Sequence, residues 1–200
     1  MIAHTKSQDS VEYYDRHARA FARRYDGVTF DSVHPDLAGF LPAAGAAVLD
    51  IGAGSGRDAR ALAARGLEVT AVEPSAAFRQ LAQNNGKVEW IDDRLPDLAR
   101  VRAQNKRYAF ILCSAVLMLI PAQQLGRSFA AMASLLEPHG TLAIALRNPV
   151  PDEPAGLAHM HPDPIVLSAA KSEGLCLVRQ NVASDALNRQ EHRWRTFVFT

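Results

Sequence analysis

The stretch Ala47–Arg57, Ala-Val-Leu-Asp-Ile-Gly-Ala-Gly-Ser-Gly-Arg, restricts the possible folds of this chain more than any other. An apolar run (Ala47, Val48, Leu49) leads to one acid, Asp50. Glycines then fall at alternate positions, Gly52, Gly54 and Gly56, and a helical pattern follows over Asp58–Arg65. Strand, glycine turn, helix is the opening βα unit of a doubly wound α/β sheet, whose ligands bind outside the carboxyl ends of the strands. Glycine serves where backbone takes a positive φ or lies flat against a ligand. The stretch points to a nucleotide-type cofactor. A glycine turn without a ligand is the plain alternative, and the coincidence of three glycines with two acids in register argues against it.

Two residues discriminate between cofactors. The dinucleotide fingerprint G-x-G-x-x-G needs a third glycine for close helix–strand packing, and that place holds Arg57. Asp50 sits at the mouth of the turn, where a pyrophosphate would meet a carboxylate. A cofactor with cationic groups reverses the sign of that interaction, and S-adenosylmethionine carries an ammonium and a sulfonium and no phosphate. A second acid, Glu73, closes the next strand pattern, Glu68–Val72, at the place where such folds take ribose hydroxyls.

These residues resemble a known family. Val48-Leu49-Asp50-Ile51-Gly52-Ala53-Gly54-Ser55-Gly56, with Val72-Glu73-Pro74-Ser75, is similar to the class I S-adenosylmethionine-dependent methyltransferases of the small-molecule type, and the likeness runs from about Tyr13 to Phe199. It implies a seven-stranded, mostly parallel Rossmann-like sheet with an antiparallel last strand and an N-terminal helical cap, in one domain over 1–200 (cap 1–44, core 45–200). The cofactor-binding set it implies is Tyr14, Asp50, Gly52, Ala53, Gly54, Gly56, Arg57, Glu73, Pro74, Asp92 or Asp93, Leu95 and Ser114. In the family an acid after the third strand takes the adenine amine beside an apolar side chain, and the choice between Asp92 and Asp93 stays open, as does a capping role for either. A tyrosine of the cap helix often touches the methionine end; Tyr14 is the first candidate and Tyr25 the second, with packing of the lid as the other reading.

Composition excludes several classes. Two hundred residues suit one domain with a real core. With a net charge of +1, no global field draws the chain to nucleic acid or anionic membrane. Cys113 and Cys176 lie in apolar runs and read as buried free thiols. Met1–Ser10 is polar and no stretch has the length of a membrane span, so a cytoplasmic protein, monomer or homodimer, is expected. No Cys/His/Asp spacing satisfies a metal site.

Along the chain, Met1–Gln8 reads as a loose terminus, and Asp9 or Ser10 as the cap of a helix over Val11–Tyr25. Gly27–Pro42 is a connector with a short helix at Pro35–Leu41; its His34 reads as a solvent-exposed loop residue, with facing the pocket as the other reading. A helix from Pro74-Ser75 to Gln83, a turn at Asn84-Asn85-Gly86 and a strand over Val88–Ile91 follow. Tyr108–Ser114 is a buried parallel strand, and the resemblance puts Ser114-Ala115-Val116 under the sulfonium. Ala122–Leu136 reads as a helix, Glu137–Gly140 as a turn, Thr141–Leu146 as a strand, Ile165–Glu173 as a helix, and Leu175–Asn181 and Trp194–Phe199 as closing strands.

For the methyl acceptor the residues say less. Arg147–Pro164 is rich in proline and carries His159 and His161, candidate bases by position alone. Arg147 with Arg189, Arg193 and Arg195 reads as solvated surface or a small cationic rim. The Asn/Asp-Pro-Pro-aromatic signature of base-methylating enzymes is missing after the fourth strand. The expectation is methyl transfer to a small molecule, with a non-catalytic cofactor-binding sensor or partner protein, a nucleic-acid or protein methyltransferase, and an NAD-dependent oxidoreductase as alternatives.

Overall fold

A computed structural model describes residues 10–82 and 87–200. Helix α1 (Ser10–Tyr25) precedes a short helix α2 (Phe30–Val33). The core then alternates: β1 (Ala47–Ile51), α3 (Arg57–Ala64), β2 (Glu68–Val72), α4 (Ala76–Ala82), β3 (Val88–Ile91), α5 (Ala99–Ala103), β4 (Tyr108–Ser114). It closes with α6 (Leu125–Leu135), β5 (Leu136–Arg147), α7 (Asp163–Ser172), β6 (Leu177–Ser184) and β7 (Arg193–Phe199).

The strands form one seven-stranded sheet in the order β3-β2-β1-β4-β5-β7-β6. All neighbours run parallel except β7, which is antiparallel to both β5 and β6. Alternate side chains of each strand face opposite ways, and both faces are covered. Leu49, Ile51, Ile111 and Cys113 join Phe129 and Met132 of α6 and Val166 of α7 in one core. Val48, Phe110 and Leu112 join Leu62 of α3, Phe30 and Leu37 in the other. Burial on both faces explains why the central strands read as unbroken apolar runs. Winding reverses between β1 and β4, which opens a crevice at their carboxyl ends.

Helix α1 is latched over that edge at two points. Asp15 Oδ1 accepts from Ser75 Oγ at 2.7 Å and from the Ala77 amide at 2.9 Å, capping α4. Asp26 Oδ1 accepts from Ser55 Oγ and Arg60 Nη2, both at 2.8 Å.

Several local expectations differ. The helix expected at Pro35–Leu41 is α2 plus a 3-10 turn at Ala38–Phe40, because Thr29 caps the chain earlier through a reciprocal bond with Ser32. Helix α5 had no periodic signal, being five residues long. The Ala122–Leu136 pattern is a 3-10 turn followed by α6 from Leu125. The Glu137–Gly140 turn lies within β5 as an irregularity: Tyr108 pairs with Leu136 but Phe110 pairs with Thr141. The last helix and β6 sit about two residues off their expected limits. Cys113 is buried as expected, whereas Cys176 is exposed, because its strand-like run lies at the sheet's free edge. Met1–Gln8, Asp9 and the Asn84-Asn85-Gly86 turn lie outside the described residues.

Candidate active site

The glycine turn is built by its neighbours. The amides of Gly52 and Ala53 donate to Val72 O at 2.7 and 2.9 Å, tying the end of β1 to the end of β2. A Cβ on Gly52 would lie 2.3 Å from Cγ2 of Val116, so close approach to the β4 edge excludes a side chain there. At Gly54 the space is open and a φ of +54° sets the requirement. The Gly54 amide donates to Glu73 Oε2 and the Ser75 amide to Oε1, each at 2.8 Å. These bonds fix the carboxylate plane and leave each oxygen a further acceptor position. Burial pushes the Glu73 carboxyl up, against the pull of those two amides.

Asp50 ends the same edge. It is buried, and its Oδ2 has no hydrogen-bond partner among the described residues. Burial first, and then the charge of Asp58, push its carboxyl well above the usual range. A buried carboxylate in this condition is destabilising until a cation or donor meets it.

Two cavities share this edge. A cleft of about 500 Å³ is bounded by Glu73, Pro74, Asp93, Leu95 and Val116. A smaller cavity of about 140 Å³ lies on the β4–β5–β7 side, bounded by Asp50, Ser114, Arg57, Arg147, Arg189 and Trp194. Tyr14, Tyr25, Gly52 and Gly54 line both and form the junction. Burial raises both tyrosine hydroxyls, so they remain protonated donors at neutral pH.

The cofactor-binding candidates divide accordingly. Tyr14, Gly52, Gly54, Glu73, Pro74, Asp93 and Leu95 line the cleft, while Asp50, Ala53, Arg57 and Ser114 line only the smaller cavity. Gly56 and Asp92 line neither. Gly56 sits behind the turn, where a Cβ would meet the Trp90 ring at 3.0 Å. Asp92 turns outward to Arg79 and Arg100. The carboxylate of Asp93 accepts the amides of Arg94, Arg100 and Val101, so it shapes the cleft while capping α5.

The two candidate histidines, His159 and His161, lie away from both cavities. His161 is buried, with Nε2 3.0 Å from both Leu117 O and Ile120 O, and the His159 amide donates to Met118 O at 2.7 Å. The Arg147–Pro164 segment is strapped onto the 3-10 turn at Leu117–Leu119, and Arg147 alone of it faces a cavity. His34, expected in solvent, is buried in the smaller cavity's wall with Nε2 3.2 Å from Asp58 Oδ2. Arg147 is likewise buried and paired with Glu153.

Sequence reasoning missed Asp58, Asp185 and Trp194, all of which line the smaller cavity; of the arginines read as surface or a cationic rim, Arg147 and Arg189 line it and Arg193 and Arg195 do not. The signal available was modest: a tryptophan opening the last strand after a polar connector that holds an Asp and an Arg four residues apart. Among the described residues no group of three or more His, Cys, Asp or Glu could hold a metal ion, and no helix is long and apolar enough to cross a membrane.

Comparison with known proteins follows the same lines. Residues 48–140 match a family described as a methyltransferase domain. No curated protein matches the sequence. Among solved structures, a TehB-like SAM-dependent methyltransferase from Corynebacterium glutamicum is similar at 18% identity and TM-score 0.67, covering 92% of this chain and 98% of that one. Magnesium protoporphyrin IX methyltransferase from Synechocystis with bound SAH aligns at 19% identity and TM-score 0.71, over 96% and 99%. A 1,6-didemethyltoxoflavin-N1-methyltransferase from Burkholderia thailandensis, with its acceptor and S-adenosylhomocysteine bound, aligns at 22% and 0.61, over 92% and 88%. Likeness at these identities establishes the shared fold.

Proposed function

We propose that the chain is a class I S-adenosylmethionine-dependent methyltransferase, a reading supported by the methyltransferase-domain match over residues 48–140 and by the shared fold, and that it methylates a small molecule held in the cavity beside Tyr14, Arg147 and Trp194. The observation that carries this reading is the pair of cavities meeting at Tyr14, Tyr25, Gly52 and Gly54. The larger suits a nucleoside; the smaller, at about 140 Å³, suits a compact acceptor rather than a protein side chain on its backbone. The neighbours from Synechocystis and Burkholderia thailandensis are named for small-molecule acceptors, which supports the same class.

The residues present fit S-adenosylmethionine. Glu73 offers acceptors for the ribose hydroxyls, and the unpartnered Oδ2 of Asp50 is suited to a cationic group. When bound, this cofactor supplies a methyl group on a sulfonium, already activated for in-line displacement. The chain's own contribution is alignment and the exclusion of water. Gly52 and Gly54 keep the turn flat, and the tyrosines of the latched α1 close the junction. His159 and His161 serve to hold the Leu117–Ile120 turn rather than to move a proton. Nucleic acid is not expected as a substrate, since the sequence carries no basic run interleaved with aromatics and its net charge is only +1.

Calorimetry with S-adenosylmethionine, S-adenosylhomocysteine and NAD, followed by a metabolite panel scored for S-adenosylhomocysteine release, tests the proposal. Binding of the first two and turnover with a small molecule are expected. Binding of NAD alone, or turnover only with nucleic acid or protein, overturns it.

A further inference from the structure

Asp185, at the start of the connection between β6 and β7, is buried and gathers five donors. Its Oδ2 accepts the amides of Leu187 and Arg189 at 3.0 and 3.2 Å and Arg189 Nε at 2.9 Å. Its Oδ1 accepts Arg189 Nη2 at 2.6 Å and Trp194 Nε1 at 2.8 Å. Burial alone would raise this carboxyl, but the bonds from Arg189 and Trp194 outweigh it and hold the group far below the usual range. A hairpin connection closes with turn residues and needs no buried charge. Here the connection is folded around one, and the two side chains fixed by it both line the smaller cavity.

Arg57 is held in the same way: Nε and Nη2 bind the buried Asp58 at 2.8 and 2.7 Å, with His34 behind. In both arginines one edge of the guanidinium is spent and Nη1 has no hydrogen-bond partner among the described residues. A guanidinium locked along one edge presents its remaining donors with little rotamer freedom left to lose. The acids of the cavity are meanwhile engaged: Asp36 with Arg179 and Asn181, Asp58 with Arg57, Asp185 with Arg189. Asp50, whose Oδ2 has no partner among the described residues, lies in the same wall at the end of β1, beside the Gly52–Gly54 junction with the larger cleft. Away from Asp50, the charged groups of this cavity that keep a free hydrogen-bonding edge are the two arginines.

We infer that the acceptor carries a carboxylate, bound by Nη1 of Arg189, with its body against Trp194 and with Asp185 as the positioning residue. The inference rests on the methyl-transfer reading of this cavity. Arg189 is the specificity residue, because charge-assisted bonds to a planar carboxylate are what its geometry favours.

The test titrates 4-hydroxybenzoate, benzoate, phenyl phosphate and the neutral 4-hydroxybenzamide into protein saturated with S-adenosylhomocysteine. 4-Hydroxybenzoate should bind about tenfold or more tightly than the amide. Arg189→Gln should abolish that preference while the affinity for S-adenosylhomocysteine stays unchanged, and Arg189→Lys should restore part of it. Asp185→Asn should weaken the carboxylates and leave the amide unchanged, whereas a merely structural role would weaken both alike. Equal affinity for acid and amide, no binding of either carboxylate, preference for phenyl phosphate, or an unaltered Arg189→Gln protein each overturns the inference. Failure to bind S-adenosylhomocysteine would instead remove the methyl-transfer reading itself.

Discussion

The Gly54 amide donates to Glu73 Oε2 at 2.8 Å, so the acid at the end of β2 holds the turn at the end of β1 in shape. Glu73 therefore acts on the cofactor directly and through the turn. Glu73→Ala should lower S-adenosylhomocysteine affinity by about ten- to a hundredfold, the loss expected for hydrogen bonds to a charged group worth roughly 1.5–3 kcal/mol. Calorimetry reads this; unchanged affinity would place the ribose elsewhere.

Asp50→Asn should separate stability from binding. A carboxyl raised by burial favours the protonated folded state, so its stability is present at low pH and is lost as pH rises through the folded value. At neutral pH the variant without cofactor should melt above the parent, and the gap should close towards pH 4. Its cofactor affinity should fall by about tenfold or more. A variant that melts lower at pH 7 would show that Asp50 has a partner in solution.

The glycines of the turn should respond differently. Gly52→Ala sets a Cβ 2.3 Å from Val116 Cγ2 on top of a φ of +70°, and overpacking of this kind costs about 1–3 kcal/mol. Gly54→Ala meets only Gly52 O at 4.0 Å and carries backbone strain alone. Thermal unfolding should show the larger loss at Gly52, partly recovered by adding Val116→Ala. Equal losses would mean that the packing against Val116 is relaxed.

His161→Ala should destabilise without touching cofactor affinity. Removing the Nε2 hydrogen bond takes the ring donor from the carbonyls of Leu117, which keeps the Ile120 amide, and of Ile120, at about 1–3 kcal/mol. Burial lowers the imidazole's pKa, so the folded state disfavours the charged form and the parent should lose stability as pH falls below about 6.5. The variant should lack that part of the acid sensitivity, read from melting curves between pH 7.5 and 5.

How much of this was legible beforehand follows from range in the chain. The turn from Asp50 to Gly56, with Glu73 one strand on, was readable because strand, glycines and acids follow in fixed order and neighbouring parallel strands end at the same edge. Tyr108–Ser114 and Ala47–Ile51 were readable as core strands because burial on both faces leaves no polar positions to break the run. Asp92 and Asp93 were not separable, since adjacent residues at a strand end point to opposite sides and only the following chain decides which side is the cleft.

The acceptor side belongs to tertiary structure. His34 meets Asp58 across 24 positions, and the chain between them shows no periodic sign of it. Asp185, Arg189 and Trp194 share one carboxylate because β6 and β7 pair antiparallel and bring the ends of their connection together. Arg147 reads as a surface charge until Glu153 folds back onto it. Sequence alone determined the cofactor edge, where each partner is set by the regular geometry of one βα unit. The fold decided the acceptor cavity, because its walls come from segments far apart in the chain, and whether their polar groups meet depends on strand pairing and burial rather than on local pattern.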